Sequence, residues 1–175
     1  MGASFEHDPE MLDKMHEATL QALANAQDLT LEECVGAAQK ILVENKTNNT
    51  GALGQSIQVN HPVIEGGDII NGSFGPQGPN SGYAGCVENG TKPHFLPKKV
   101  IQGTLADWVR LRGLTGSRHK GKGNEAEAES IAWAIANAIS KRGTRPQPFL
   151  IPAWQQCKGS ILKYIQRELA ALKKL

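Results

Sequence analysis

Three residues that lie close together in the chain could supply the groups of a thiol nucleophile. Cys86, Glu88 and His94 offer a thiol, a carboxylate and an imidazole, and nucleophilic catalysis needs a base within hydrogen-bond reach of the nucleophile. The sequence has no signature that would bring such a base to the thiol, and a buried, unreactive state is the commoner one for a cysteine. We therefore expect no catalytic residue and no enzymatic activity.

A glycine-rich basic segment resembles a phosphate-binding loop at residues 116–123 (GSRHKGKG). That motif needs Ser or Thr after its lysine to hold magnesium, whereas here Gly123 follows Lys122, and an amphipathic helix rather than a buried strand precedes the segment. A flexible basic loop over residues 113–123 fits better. The residues that could contact an acidic partner or DNA phosphates are Arg118, Lys120 and Lys122.

The histidines and cysteines show no metal-ligand spacing. None of the five histidines belongs to a His-x-x-x-His or His-Glu-x-x-His pattern, and Cys34, Cys86 and Cys157 form no Cys-x-x-Cys pair. We therefore expect no metal site, no cofactor and no disulfide framework.

The sequence shows no signal for secretion or membrane insertion. The segment MGASFEHDPEMLDK at the start is acidic and lacks the apolar core of a signal peptide. No apolar run approaches the ~20 residues that span a bilayer. We expect no membrane partner and a protein that is made and kept in a reducing cytoplasm.

Charge is distributed unevenly along the chain. The net charge of +2 excludes a generally polybasic nucleic-acid coat. Residues 1–91 carry three basic and twelve acidic side chains, a net charge of −9, whereas residues 92–175 carry sixteen basic and five acidic ones, a net charge of +11. Either the two halves neutralise each other within one fold, or they meet between copies that associate head to tail. The 39% apolar content predicts a modest core, with some apolar surface buried only against partners.

Apolar residues at helical spacing predict a helical N-terminal arm. The first helix covers residues 9–27, with Pro9 at its first position behind Asp8 as a cap. The T-L-E-E pattern that begins at Thr30 is typical of a capping box, so a second helix is expected from there to about Lys46. The alternative is one long helix with a kink near residue 28. The apolar stripe of the first helix is Met11, Met15, Ala18, Ala22 and Ala26.

A small antiparallel sheet is predicted after this arm. Residues 56–60 alternate as a strand, and residues 63–70 are typical of two strands joined by a Gly-Gly turn. Pro62 favours an edge strand or a bulge. Residues 71–82, with four Gly and two Pro, predict a long loop that is functional or becomes ordered on a partner.

The second half of the chain alternates helices with extended segments. Residues 92–96 could return as a strand, and Pro97 opens a helix. Another helix is expected over residues 124–142, and an extended segment over residues 145–152 leads into a C-terminal helix from Pro152. The residues expected to face the core are Trp108, Trp133, Trp154, Ile161, Leu162, Ile165, Leu169 and Leu172.

Together these elements predict an α+β fold, with an N-terminal helix or helix pair, a small curved antiparallel β-sheet, flanking helices and a C-terminal helix. We expect a single domain over residues 1–175. Its parts are a helical N-terminal arm (1–46), a sheet plus helix (50–112), a flexible basic loop (113–123), and a helix, strand and C-terminal helix (124–175).

Three short motifs, spread along the chain, resemble those of one protein family. They are T-G-A-L-G-Q-S-I at residues 50–57, Y-A-G-C-V-E-N-G-T at residues 83–91 and P-Q-P-F-L-I-P-A at residues 146–153. The set resembles the tail-component family of tailed bacteriophages that is typified by the gene 10 product of phage HK97. Members show T-G-x-L-x-x-S-I, Y-A-x-x-V-E-x-G-T and Q-P-F-L-x-P-A in this order, and the likeness covers roughly residues 10–172.

Structural roles, not catalytic ones, are expected for the motif residues. Thr50 and Gly51 would form a turn that caps the leading helix, and Tyr83 would anchor a short helix. Glu88 would cap or pair near the turn at Gly90, whose φ is expected to be positive. The full set is Thr50, Gly51, Leu53, Ser56, Ile57, Tyr83, Ala84, Glu88, Gly90, Thr91, Pro148, Phe149, Leu150, Pro152 and Ala153.

The resemblance implies a virion morphogenesis protein, which would be assembled in the bacterial host cytoplasm and carried in the virion. Family members act in the neck or at the head-proximal end of the tail, as rings of commonly six copies. The implied partners are other copies, head–tail connector or adaptor proteins, tail terminator or tail tube proteins, and the DNA that passes through the ring. The alternatives from the residues are a DNA-binding accessory protein that uses residues 110–123 and an enzyme of phosphate or thiol chemistry.

Overall fold

The computed structural model describes residues 8–45, 51–115 and 123–173. Its two strands pair antiparallel and all other regular elements are helical, so the predicted α+β class is confirmed. In chain order the elements are α1 (Pro9–Glu44), α2 (Ala52–Ser56), β1 (Ile57–Glu65), β2 (Ile69–Pro76), a 3₁₀ turn (Gly78–Asn80), α3 (Ser81–Asn89), α4 (Lys98–Val100), a π-helical turn (Ile101–Leu105), α5 (Ala106–Leu111), α6 (Gly123–Arg142), α7 (Leu150–Cys157) and α8 (Ser160–Leu172).

The N-terminal arm is one continuous helix. Helix α1 has 36 residues, a length of about 54 Å, and the Asp8 carboxylate caps it by accepting the Glu10 N–H at 3.1 Å. The predicted helix start at Thr30 is wrong, and the alternative of one long helix is what the structure shows. Thr30 is buried in mid-helix, and its hydroxyl donates to the Ala26 carbonyl at 2.9 Å, a bond that a threonine makes within a helix without ending it.

Strands β1 and β2 form a hairpin whose local features follow the sequence. The turn uses Gly66 and Gly67 at φ of +60° and +94°, as the Gly-Gly pair predicts. The register shifts between Asn60 and Val63, which confirms a bulge at Pro62. Ile57 pairs with Pro76 at the far end of the hairpin.

The long loop expected at residues 71–82 is wrong. Strand β2 continues to Pro76, a 3₁₀ turn follows, and α3 begins at Ser81. The glycine that suggested a loop permits close packing instead, because a Cβ on Gly72 would lie 2.8 Å from Leu31 Cδ1 and 2.9 Å from Pro62 Cγ. The hairpin can therefore lie directly on α1.

Polar contacts also hold the hairpin along α1. His61 Nδ1 lies 2.8 Å from Asp28 Oδ1, and His16 Nε2 lies 3.1 Å from Asp68 Oδ1 beside the turn. The hairpin thus runs from the middle of α1 toward its N-terminal end.

Helices α7 and α8 pack against α1. The single C-terminal helix predicted from Pro152 is wrong, since α7 begins at Leu150 and the chain turns at residues 158–159 before α8. Trp154 and Leu162 are 43% and 66% exposed, which contradicts their expected inward positions. The turn lets both helices contact α1 while these two side chains face outward.

Two separate apolar clusters hold the described elements together. The second lies between the helical segment of residues 98–111 and α6, where Trp108 packs at its margin, whereas Trp133 is 45% exposed and is not the core residue expected. Members of the first cluster are Ala38, Leu42, Leu53, Ile57, Ala84, Val87, Phe149 and Ala153, and those of the second are Ile101, Ala106, Val109, Ala128, Ala132 and Ala136.

The links to the second cluster are irregular. No strand forms at residues 92–96, which corrects that expectation, and only an isolated bridge pairs Thr91 with Thr144. Pro97 is the N-cap of α4, so the expected helix start there is nearly right.

Thr50 and the basic residues Arg118, Lys120 and Lys122 lie outside the described residues. Among the described helices, none is long and apolar enough to cross a membrane.

Candidate functional site

Residues of all three motifs meet at one place, which we call the motif junction. It comprises Leu53 and Ile57 from the first motif, Ala84 and Glu88 from the second, and Phe149 and Ala153 from the third. The apolar members are at most 5% exposed and belong to one cluster with the C-terminal part of α1. Segments almost 100 residues apart in sequence therefore share one core.

The Glu88 carboxylate is the polar centre of the motif junction. Its Oε2 accepts the N–H groups of Phe149 at 2.7 Å and Leu150 at 2.9 Å, and its Oε1 accepts that of Ile151 at 3.1 Å. These are the free N–H groups of the first turn of α7, where a negative charge is favourable. Glu88 is only 8% exposed. Glu88 therefore caps a helix whose first residues lie 61 positions later in the chain. Contrary to expectation, it does not cap the adjacent turn at Gly90.

Beside the motif junction, two chain segments cross at close range. Thr91 and Thr144 exchange both backbone hydrogen bonds at 3.2 Å, and their hydroxyls lie 3.0 Å apart. Gly90 has φ +70°, as expected, and Gly143 has φ +72°. A Cβ on Gly90 would overlap the Thr144 carbonyl oxygen, and a Cβ on Gly143 would overlap the carbonyl oxygen of Thr91. Glycine is therefore required twice at this crossing.

Some motif residues have roles that differ from the expected ones. Gly51, at φ +82°, precedes α2 and does not cap α1. Tyr83 is 56% exposed, so it does not anchor α3. Ser56 ends α2 with its hydroxyl donating to the Leu53 carbonyl at 2.7 Å. Leu150 packs against the first cluster and Pro148 is exposed.

The three groups considered for a thiol nucleophile, those of Cys86, Glu88 and His94, are each engaged elsewhere. Cys86 is exposed, and its Sγ donates to the Gly82 carbonyl at 3.8 Å. His94 Nδ1 lies 2.8 Å from the Lys92 carbonyl oxygen, and Glu88 is occupied by α7. Within residues 8–45, 51–115 and 123–173, no cluster of three potential metal ligands occurs.

Comparison with known proteins returns no match. No protein-family model, no curated protein and no solved structure matches this chain. The likeness to the phage tail-component family therefore rests on the three sequence motifs alone.

A pair of buried cysteines lies between α1 and α7, and sequence spacing did not indicate it. Cys34 and Cys157 are 0% and 3% exposed, and their thiols are hydrogen-bonded to each other. Burial raises the pKa of Cys34 from 9.0 to about 12, with further contributions from Cys157 and Glu33. Burial also raises the pKa of Cys157. These thiols are inert packing groups at neutral pH.

Thiol alkylation of the folded chain at about pH 8 should modify Cys86 first. Cys34 and Cys157 should react more slowly by about a hundredfold or more, the factor for a local opening of about 3 kcal/mol. Mass spectrometry over time measures this, with Cys86→Ser as the control that lacks the fast phase. Rapid modification of Cys34 would contradict its burial.

Alkaline pH should destabilise the fold through the thiol of Cys34. Because its pKa is higher in the folded chain than the ordinary 9.0, the folded chain binds this proton more tightly than the unfolded chain. The resulting stabilisation is complete below pH 9 and is lost as the pH rises toward 12. Urea unfolding at about pH 8 and about pH 10.5 should show a smaller difference in midpoint for Cys34→Ala than for the parent. Equal differences would contradict this.

Proposed function

We propose that this chain is a structural protein of a tailed-phage virion, without enzymatic activity. It would act in the neck or at the head-proximal end of the tail, as a ring, of six copies as is common in that family, that joins or completes the tail at the head–tail connector. The observation that carries the proposal is the motif junction: six residues drawn from all three motifs pack together there, with Glu88 as the cap of α7, and Gly90 turns the chain beside it.

The chemistry of the motif junction supports a scaffold. Its carboxylate, Glu88, is enclosed by three backbone N–H groups and has little surface left for a substrate. Gly90 and Gly143 serve the close crossing of two chain segments. A carboxylate whose oxygens are all hydrogen-bonded to the start of a helix fixes the position of that helix. A subunit with fixed surfaces suits a ring, in which the same contact is repeated between copies.

The charge distribution supports contact between different faces of neighbouring copies. Between Asp8 and Asn25, α1 and its cap carry four acidic residues and one lysine, whereas residues 92–112 carry five basic residues and one acid. Opposite charge on two different surfaces favours a heterologous contact, and such contacts close into a ring when the rotation permits.

Electron microscopy of lysates from a phage that carries this gene, with the gene knocked out, tests the proposal. We expect DNA-filled heads beside complete but unattached tails. Normal virions in the knockout would refute a role at the head–tail joint, and complementation by the intact gene is the control.

DNA binding through residues 110–123 has less support among the described residues. Arg110 pairs with Asp107, and the Arg112 guanidinium lies over the Trp108 ring at 5.8 Å, so both cations have partners within the helical segment. Retention on duplex DNA that falls steeply with salt, and that is lost in a Lys120→Glu, Lys122→Glu variant, would favour this alternative instead.

A further inference from the structure

Phe95 is the most exposed large apolar side chain of the described residues, at 90% exposure. It lies in an irregular segment between Pro93 and Pro97, both of which restrict the backbone. The His94 ring bonds to the Lys92 carbonyl oxygen at 2.8 Å and adds a local constraint. An aromatic ring held outward on a constrained segment is typical of an anchor that inserts into a partner.

A groove formed by two other helices has the size and the largely apolar lining that an inserted aromatic ring would need. It lies between α1 and α8, with Ala18 and Ala22 beside the polar Gln21 and Asn25 on one side and Ala171 and Leu172 on the other, and has a volume of about 400 Å³. An apolar cavity of roughly 150 Å³ is enough for a benzene ring. The groove is open to the surface and larger than this, so it has room for a phenylalanine ring to lie in it.

The apolar stripe of α1 extends this groove toward the N-terminal end of the helix. Met11 and Met15 stand on the same stripe as Ala18 and Ala22, because residues three and four apart share a helix face. They are 60% and 57% exposed. Methionine adapts its shape to a partner and makes favourable contacts with aromatic rings, so these side chains could cover an inserted ring.

Charge distinguishes the two surfaces. The segment that carries Phe95 has Lys92, Lys98 and Lys99 and no acidic residue, while Glu10, Asp13 and Glu17 belong to the N-terminal turns of α1, before the residues that line the groove. Lys14 is paired with Glu10 at 2.6 Å. On the α8 side, Glu168 lines the groove and is paired with Arg167 at 3.0 Å. The N-terminal turns of α1, which carry Met11 and Met15, thus have a net negative charge, opposite in sign to that of the segment with Phe95.

We propose that Phe95 of one copy inserts into the α1–α8 groove of a second copy. This rests on the proposed function, and it names the surfaces that join neighbouring subunits of the ring. Because the anchor and the groove are different surfaces, each copy can offer one and accept the other, so the contact is heterologous. The lysines beside Phe95 and the acids of α1 set the orientation.

Sedimentation of the full chain over a range of concentrations tests the contact. Phe95→Asp should raise the dissociation constant by about tenfold or more, since an anchor residue contributes most of an interface's affinity. It should leave the thermal midpoint unchanged because the side chain is exposed. Ala171→Trp, which fills the groove from an exposed position, should weaken association similarly. The matched control is Leu111→Asp, at a second exposed apolar residue (67%), which should associate as the parent does.

A photo-reactive benzoylphenylalanine at position 95 identifies the partner surface. We expect cross-links between copies, to peptides that contain Ala18–Ala22 or Ala171–Leu172. Rings that persist in Phe95→Asp, or cross-links to another surface, would overturn this contact and leave the proposed ring intact. If Phe95→Asp formed normal rings that failed to join heads and tails, this contact would also be overturned, because Phe95 would then bind a different protein. A parent chain that stays monomeric at every concentration and in lysates would overturn both proposals.

Discussion

Replacing Gly143 with alanine should lower the free energy of unfolding by about 3 kcal/mol or more. An alanine at φ +72° costs about 1–2 kcal/mol in backbone energy alone. Its methyl group would also overlap the carbonyl oxygen of Thr91, which belongs to the backbone and cannot rotate away. The bridge between Thr91 and Thr144 must therefore open or shift. Denaturant unfolding followed by circular dichroism measures the loss.

Gly113→Ala separates the two causes of this loss. Gly113 also has a positive φ, of +62°, but a Cβ there would have no atom within 4 Å. The control should lose only about 1 kcal/mol, the cost of the backbone conformation. Equal losses in the two variants would show that the close crossing contributes nothing. Gly90→Ala should resemble Gly143→Ala, because its Cβ would overlap Thr144 on the same crossing.

Local sequence signals predicted the elements whose causes are local. The hairpin turn follows from two adjacent glycines, the bulge from Pro62, and α6 from its apolar period and acidic first turn. In each case the residues that determine the structure are neighbours in the chain. Patterns of this kind are sufficient when no distant contact competes with them.

Distant contacts explain the errors. Gly72 suggested a loop, but it is needed where β2 passes over Leu31, and no property of residues 71–82 reveals that helix. The T-L-E-E pattern at Thr30 predicted a helix start, yet the surrounding packing keeps α1 continuous and buries the threonine. A glycine that favours a loop at the surface can instead permit close packing at a contact, and a threonine that often begins a helix can also lie within one.

The motif set contained the six residues of the motif junction, but it also contained Tyr83 and Pro148, which are exposed, and it gave no geometry. The resemblance selected Glu88 and Phe149 as structural residues, and both are central. It did not reveal that one binds the backbone of the other, because a carboxylate can cap any helix that reaches it. Neither a local pattern nor the resemblance indicated that Cys34 and Cys157 would pair, since buried cysteines need no particular spacing.

Replacing Glu88 with alanine should lower the free energy of unfolding by about 3 kcal/mol. The carboxylate accepts three N–H groups of α7, and hydrogen bonds to a charged group contribute about 1.5–3 kcal/mol each, although such contributions are not additive. In the variant, the buried N–H of Phe149 loses its acceptor. Amide hydrogen exchange should accelerate at residues 149–151 before the rest of the chain, because α7 loses its cap.

Two further variants distinguish the cap from a general loss of charge. Glu88→Gln keeps one oxygen for Phe149 and Leu150 but places an amide NH₂ toward the N–H of Ile151, so we expect about half of the alanine effect. Glu10→Ala removes an exposed carboxylate of α1, 77% accessible and paired with Lys14, and should cost no more than about 0.5 kcal/mol. If Glu88→Ala were as mild as Glu10→Ala, the carboxylate would not be what holds the second and third motifs together. In that case the apolar contacts of Phe149 and Ala153 would have to orient α7 alone.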